Sequence, residues 1–202
     1  LTVIVNGQHR VWYIVLQPLA FVIFFVASLA EVGRAPFDIP MAESEVVGGP
    51  FVEYSGMHWA MFFLAEYANT FALAVLATLL FLGGWHGWAP SHGVGQEVVQ
   101  ALWLLLKTSL VIMLVFWVRA TVPRLRIDQL MSLAWKVLLP LAFVNFVLTA
   151  FYKFYGWPSW TIAVMSIAVL GAVLYAYHRR RFTRAARPVT IKLRVEHGRI
   201  VR

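Results

Sequence analysis

The chain has 202 residues, of which 61% are hydrophobic and 13% are charged, whereas soluble domains have about 25% charged residues. This composition excludes an ordinary soluble domain. The formal net charge is +8, and the chain has no cysteine, which excludes disulfides, thiolate ligation of iron–sulfur clusters and cysteine catalysis within it.

Five apolar runs follow one another along the chain, near residues 11–30, 57–83, 98–118, 133–152 and 160–177. A hydrocarbon core of about 30 Å needs roughly 20 helical residues, so each run predicts a membrane span. Pro18 lies in the first run, where neighbouring helices are expected to satisfy the carbonyl that it frees. The predicted fold is an all-α transmembrane bundle of five tilted spans over 1–178, with partly helical cytoplasmic loops and a basic tail over 179–202.

The loop charges predict the orientation of these spans. The 84–97 loop has no Lys or Arg, whereas the tail at 179–202 has nine. Because Lys and Arg favour the cytoplasmic side, we expect the N-terminus of the chain outside and the tail inside. The tail is expected to meet anionic lipid or a partner subunit rather than nucleic acid. Its alternating residues 190–195 are able to form a short strand, against a neighbour for example.

Two segments of opposite charge fall on the predicted cytoplasmic side. The 31–56 loop has five acids against Arg34, and the 119–136 segment has four cations against Asp128. Two spans separate the segments, so they are expected to lie on one face and to attract each other. Some of these charged side chains need have no role beyond holding the two loops together. Pro36 and Pro40 also stiffen the acidic loop, because each fixes its own φ and biases its predecessor away from helix.

Glu66 is the ionisable residue that lies inside the second span. An acid at that depth is costly unless it is paired or hydrated, and it indicates an ion, proton or substrate path. Lys107, in the middle of the third span, is its predicted counter-charge. A proton path and a purely structural ion pair both remain open on this evidence.

The histidines give no metal prediction. No pair among the six has the i, i+4 spacing of a helical metal site. The Gly-rich stretch at 83–95, which contains His86 and His92, predicts a solvated turn between spans rather than a metal site or a phosphate cradle.

Several long motifs resemble one family. They are E-x-x-R-A-P-F-D-x-P-x-A-E-S-E at 31–45, E-Y-S-G-M at 53–57, F-F-L-A-E-Y-A-N at 62–69, L-F-L-G-G-W at 80–85 and R-A-T-V-P-R-L-R-I-D-Q-L-M-S-L-A-W-K-V-L-L-P-L at 119–141. They resemble the quinone-chamber membrane subunits of respiratory complex I, the NADH–quinone oxidoreductase of bacteria and mitochondria. That family has further helices before the segment matching Leu1, so the chain is expected to be its C-terminal portion.

The resemblance implies a function and a set of site residues. Such a subunit anchors the peripheral redox arm, forms part of the quinone chamber and relays charge changes to proton-pumping subunits. It implies a proton relay of Glu31, Glu43, Glu45 and Glu66. It implies a quinone chamber with Arg34, Phe37, Asp38, Glu53 and Arg119, and with Phe51 and Phe62 as further candidate lining. It implies a cytoplasmic rim of Arg124, Arg126 and Asp128. We expect the acids to share an enclosed route.

The same resemblance implies the partners and cofactors. Quinone, as ubiquinone or menaquinone, is the substrate, and this chain itself holds no redox cofactor and no metal. FMN and iron–sulfur clusters belong to partner subunits, including the one with the terminal cluster. The neighbours are peripheral quinone-site subunits, small and antiporter-like membrane subunits and the lipid of a bacterial inner membrane.

Three other functions are compatible with parts of the sequence. A related energy-converting hydrogenase or formate hydrogenlyase has a similar membrane subunit without quinone, but the run from E-Y-S-G-M to F-F-L-A-E-Y-A-N favours the quinone-linked branch. A stand-alone proton or cation transporter usually has internal repeats, and none is visible between the first and second pairs of spans. A structural anchor would use its acids only to dock a basic partner.

Overall fold

The computed structural model describes residues 1–9, 11–34, 36–38, 53–87, 94–185, 194–196 and 199–201. The helices of this described part are α1 (Thr2–Gly7), α2 (Tyr13–Leu16), α3 (Pro18–Val32), α4 (Met57–Phe81), α5 (Val94–Thr121), α6 (Ile127–Leu133), α7 (Leu139–Tyr155) and α8 (Ser159–Ala185). A π-helical turn, Ala134–Leu138, joins α6 to α7. Two short strands, β1 (Arg194–Glu196) and β2 (Arg199–Val201), follow in the tail.

Three segments are long and apolar enough to cross a membrane: Met57–Phe81, Gly95–Thr121 and Ile127–Tyr155. They correspond to the second, third and fourth predicted spans. The first and fifth predicted spans contain shorter apolar helices in the described residues, Pro18–Val32 and Ser159–Val173. The all-α expectation is therefore confirmed for the body of the chain, and three of the five spans have the expected length and composition.

The first predicted span is interrupted, contrary to the continuous helix expected over 11–30. Gln17 has φ −133° and ψ 61°, which separates α2 from α3 directly before Pro18. Proline disfavours the α conformation of the residue before it, and its fixed φ suits the first turn of a new helix. The hydroxyl of Ser166 in α8 lies 3.5 Å from the carbonyl oxygen of Leu16, beside this break.

The fourth span begins earlier than predicted, since helix already starts at Ile127. Pro140 has no N–H to donate to the carbonyl four residues before it. The π-helical turn just upstream relaxes the hydrogen-bond spacing at this point, as such turns do. The segment between 119 and 136 is therefore partly helical, as expected for this loop.

The long helices pack through small residues. Ala74 and Ala77 of α4 are buried against Val111 of α5, with Phe24 of α3 packed on the same cluster. Small side chains let helix backbones approach closely, which matters where lipid removes most of the hydrophobic driving force between helices. Thr78 is fully buried at this interface, and its hydroxyl donates to the carbonyl of Ala74 at 2.8 Å. α4 and α5 therefore form a close antiparallel hairpin.

The outer surface of the helices is strongly apolar. α7 buries no residue within the chain, and its exposed side chains include Phe143 and Phe146, which are 67% and 70% exposed. Surfaces of this kind mark contact with lipid or with other subunits.

The contacts divide the chain into two units, 1–167 and 168–202. In the second, β1 and β2 form an antiparallel pair in which Val195 lies opposite Ile200. The strand predicted at 190–195 thus overlaps β1, which pairs with β2 of the same chain.

Gly84 is expected to resist substitution because two costs coincide there. Its φ is +52°, and a Cβ would lie 3.0 Å from Leu79 Cδ2 and 3.1 Å from Val5 Cγ2. A left-handed conformation costs an L-residue roughly 1–2 kcal/mol, and the crowding adds to this cost. Gly84→Ala should therefore lower the melting temperature of the detergent-solubilised protein.

Gly156→Ala is the matched control. Gly156 has φ +62° and, among the described residues, no atom lies within 4 Å of the place where a Cβ would be. Gly156→Ala carries the backbone cost alone, so the melting temperature should fall less in this variant than in Gly84→Ala. Equal losses in the two variants would contradict the packing argument.

Candidate functional site

The buried pair of Arg34 and Glu66 is the centre of the candidate site. α3 ends at Val32, and the left-handed φ of 65° at Gly33 then turns the chain, as glycine commonly does after a helix. Arg34 follows at once, and its Nε lies 3.1 Å from Glu66 Oε1 of α4. The two side chains are 3% and 23% exposed. The guanidinium carbon also lies 4.3 Å from the ring centroid of Tyr67.

The pair is a close charge contact without good hydrogen-bond alignment. Within the described residues, Nε and Nη2 of Arg34 and Oδ1 of Asp38 are buried without a hydrogen-bond partner. Buried polar groups normally find partners, and those that do not are often functional. Arg34 and Asp38, on the same short turn, therefore each have a buried polar group that is not used in a hydrogen bond.

Phe37 and Pro36 join this turn to the 119–136 segment. The Phe37 amide donates to the carbonyl of Arg34 at 2.8 Å, and the Leu125 amide donates to the carbonyl of Pro36 at 3.0 Å. Phe37 is buried with Leu29 and Val115. Other side chains pack on the same cluster, among them Leu125, Leu130 and Leu133. The expected proximity of the two loops is thus confirmed in the described part, but the visible contacts are apolar and main-chain.

The other predicted site residues of the two charged segments that the structure describes are more exposed than Arg34. Glu31, Glu53, Arg119, Arg126 and Asp128 are exposed, and Arg124 and Asp38 are partly buried. Glu43, Glu45 and Phe51 lie outside the described residues. Within this chain, Glu31 therefore does not share the enclosed position of Glu66.

A small apolar cavity lies next to the Arg34–Glu66 pair, between α3, α4 and α5. Its walls include Phe25, Leu29, Thr70, Ala74 and Val115. Thr70 lies one helical turn from Glu66, and its hydroxyl donates to the Glu66 carbonyl at 2.9 Å. The cavity volume is about 20 Å³, which is room for about one water molecule and too little for a quinone ring. Phe62, another candidate lining residue, is exposed and packs against Tyr54.

Lys107 has a different role from the one predicted, since it is not the counter-charge of Glu66. Its Nζ donates to the carbonyls of Leu82, Gly84 and His86 at 2.8, 3.1 and 2.6 Å, and lies 4.9 Å from the Trp12 ring centroid. The antiparallel pairing of α4 and α5 brings Lys107 to the carboxyl end of α4, where free carbonyls attract a cation. Glu66 lies about 24 Å away along α4, at about 1.5 Å per residue.

Gln8 is a buried residue that sequence reasoning missed. It is 1% exposed. Its Nε2 donates to the carbonyls of Leu79 and Leu80 at 3.1 and 3.0 Å, and its Oε1 accepts from the Gly83 amide at 3.0 Å. These contacts depend on the pairing of α1 with the end of α4, and a lone glutamine carries no local signal of that pairing.

His86 lies in the same region, in the loop that follows α4. Burial lowers the pKa of its imidazole below the ordinary value, and the nearby charges of His9 and Lys107 lower this pKa further. The neutral imidazole is therefore the favoured form at neutral pH.

Comparison with known proteins identifies the family. A profile of NADH dehydrogenase matches residues 1–150, which include both ends of α4. The chain belongs to the NADH dehydrogenase family. With three helices of membrane-crossing length, it is a multi-pass membrane protein.

Three similar proteins come from bacteria. The chain is 54% identical over 155 residues to the H subunit of the NADH-quinone oxidoreductase of Geobacillus thermodenitrificans, a match that covers 74% of the chain and 44% of the relative. For the protein of the same name from Geobacillus kaustophilus, the identity is 55% over 155 residues, with the same coverage. For that of Bacillus cereus it is 51% over 150 residues, or 74% of the chain and 44% of the relative. The chain thus spans less than half the length of these relatives, and the predicted resemblance to this membrane subunit of complex I is confirmed.

Removing Lys107 should destabilise the protein, because its ammonium group binds the carbonyls at the carboxyl end of α4. In Lys107→Met, the carbonyls of Leu82, Gly84 and His86 lose their donor, and each buried unsatisfied group costs about 1–3 kcal/mol. We expect a clear drop in melting temperature in detergent. Lys153→Met is the control, because Lys153 is exposed in the last turn of α7. If both variants melt alike, the carbonyl contacts of Lys107 contribute nothing measurable.

The Arg34–Glu66 pair can be measured with a double-mutant cycle. Removing one partner of a buried pair leaves an uncompensated charge, at a cost of about 3–5 kcal/mol. Arg34→Gln and Glu66→Gln should each lower thermal stability, and the double variant should lose less than the sum of the two. The expected coupling is about 0.5–3 kcal/mol. Strictly additive losses would show that the two side chains do not interact.

Proposed function

We propose that this chain is part of the membrane subunit of a proton-pumping NADH–quinone oxidoreductase, where it forms one wall of the quinone chamber and begins the proton relay. The observation that carries the proposal is the buried Arg34–Glu66 pair. Glu66 lies in α4, a helix of membrane-crossing length, and Arg34 lies on the turn that leads into the acidic loop. The names of the bacterial relatives support the same function.

The chamber wall is the short turn formed by Arg34, Phe37 and Asp38. A quinone has an apolar ring and a polar head, so its site needs apolar walls with a few placed polar groups. Buried Phe37 anchors this turn to the apolar cluster of Leu29 and Val115, and the unpaired Nη2 of Arg34 and Oδ1 of Asp38 supply the polar groups. The cavity of about 20 Å³ is too small for the ring. Quinone therefore binds on the other side of this turn, where Glu53, Arg119 and other subunits complete the chamber.

The relay depends on competition for the charge of Arg34. Quinone reduction adds two electrons to the ring, and until two protons follow, the reduced quinone carries negative charge at the chamber wall. A new negative charge near Nη2 draws Arg34 toward the chamber and weakens its contact with Glu66 at 3.1 Å. Glu66 then holds its charge less well and takes up a proton. Interacting carboxylates titrate as a group, so Glu31, Glu43 and Glu45 carry the change onward to antiporter-like subunits.

The basic segment acts as the rim of the chamber and a docking surface for the peripheral arm. Arg124, Arg126 and Asp128 lie on the segment that Leu125 joins to Pro36. Peripheral subunits bring the FMN and the iron–sulfur clusters, including the terminal cluster that reduces quinone. The redox chemistry belongs to those cofactors, and this chain supplies binding, orientation and charge. The complex lies in a bacterial inner membrane, with the N-terminus of this chain outside and its basic tail inside.

Glu66→Gln tests the relay in the assembled complex with the full-length chain. The neutral amide keeps the shape but neither holds the charge nor takes up the proton, so quinone-linked proton pumping should fall severalfold. NADH oxidation by an artificial acceptor should persist, because it uses only the peripheral arm. Glu31→Gln should act in the same direction.

Glu97→Gln is the control for this experiment. Glu97 is exposed in the first turn of α5, at the far end of the α4–α5 hairpin from Glu66. Proton pumping by the complex with Glu97→Gln should therefore remain normal. Normal pumping in Glu66→Gln would instead remove this carboxylate from the relay.

A further inference from the structure

The imidazoles of His9 and His86 meet at the end of α4 that is far from Glu66. Their ring centroids are 5.3 Å apart with an interplanar angle of 67°. Nε2 of His86 also lies 3.2 Å from Oδ1 of Asn6. His9 is exposed and His86 is partly buried, so the cluster is open to solvated ions on one side. Neither the chamber nor the relay uses these residues.

The spacing of the cluster fits shared ligation of one metal ion. Zinc lies about 2.0–2.1 Å from a histidine nitrogen in tetrahedral sites. Two imidazoles on one such ion have ring centres on the order of 5 Å apart, which agrees with the 5.3 Å observed. Neighbouring ligand atoms of the tetrahedron lie about 3.3 Å apart by the same geometry. The distance of 3.2 Å between His86 Nε2 and Asn6 Oδ1 matches such an edge.

The segments that carry these side chains are fixed by other contacts. The His86 carbonyl accepts from Lys107 Nζ at 2.6 Å, and the His86 amide donates to the Gly83 carbonyl at 3.0 Å. Next to His9, the side chain of Gln8 is tied to the carbonyls that end α4. A site whose ligands are already in position loses less conformational freedom when it binds.

We propose that His9, His86 and Asn6 form a binding site for a late transition-metal dication of the zinc, copper or nickel class. Imidazole is a preferred ligand of these ions, whereas Mg²⁺ and Ca²⁺ prefer sites rich in carboxylate and carbonyl oxygens. The ion replaces the contact between His86 Nε2 and Asn6 Oδ1, and the neutral His86 ring keeps its single proton on Nδ1. Water completes the coordination.

The bound ion would link the first nine residues to the loop after α4. Gln8 of the first segment already accepts from the Gly83 amide, and the Gly84 carbonyl of the loop already accepts from Lys107. Occupation of the site therefore stabilises this end of the helix hairpin, because a ligand that binds only the folded state adds to its stability. This inference does not rest on the proposed function, since its readout is metal content.

The test is a zinc count on the assembled complex that contains the full-length chain. The complex is stripped with a chelator, dialysed against dilute zinc chloride and analysed for zinc by mass spectrometry. The unaltered complex should retain one zinc equivalent more than complexes with His9→Ala or His86→Gln. Asn6→Ala should weaken retention less than either histidine variant, because an amide oxygen is the poorer zinc ligand. His86→Cys should restore retention, because thiolate is also a zinc ligand.

His58→Ala is the matched control, because His58 is an exposed histidine in the first turn of α4, at the opposite end. It should retain zinc fully. His86→Gln keeps an amide able to contact Asn6, and His9 is exposed, so both variants should assemble with normal metal-free quinone turnover. Full zinc retention in both histidine variants would overturn the site. An equal loss in His58→Ala would overturn it too, because the zinc would then be bound non-specifically.

Discussion

Arg34 and Glu66 illustrate the constraint on which the rest of the structure depends: a charge inside an apolar helix bundle needs a partner within that bundle. Transfer of either charge alone from water would be costly, and the two lie 3.1 Å apart. Lys107 meets the same constraint at the other end of α4, but with backbone carbonyls instead of an acid. α4 therefore has an ion pair near its beginning and a cation at its end. The two arrangements also fix which helices lie next to it.

The two ends of α4 differ in what they are able to do. Lys107 has three carbonyl partners and a tryptophan face, so each N–H of its ammonium group has a hydrogen-bond acceptor. Arg34 has one imperfectly aligned carboxylate and the ring of Tyr67, and Nη2 remains without a hydrogen-bond partner among the described residues. A satisfied polar network makes a region rigid, whereas an incomplete one responds to a new ligand. This difference explains why we assign structure to one end and relay to the other.

The sequence predicts the long apolar helices and the importance of Glu66, because length, hydropathy and one acid within a span are local features. It also predicts that the two charged loops lie close together. It does not identify Arg34 as the partner of Glu66, because this depends on how the end of α3 packs against α4. The depth of Lys107 in the third span indicates the wrong partner, because depth alone does not show how α4 and α5 align along their length. The sequence shows Pro18 within the first span, but only the structure shows that Gln17 leaves the helical conformation. Gln8 and the pairing of His9 with His86 arise from contacts between distant segments, for which a single sequence has no signal.

The hydrogen bond from the Leu125 amide to the Pro36 carbonyl has a consequence for how the loops stay joined. It uses only main-chain atoms, so ionic strength has little influence on it, in contrast to attraction between exposed charges. Every residue type except proline can donate this bond at position 125. The charged side chains on both loops are therefore free to vary or to rearrange during turnover while the loops remain attached.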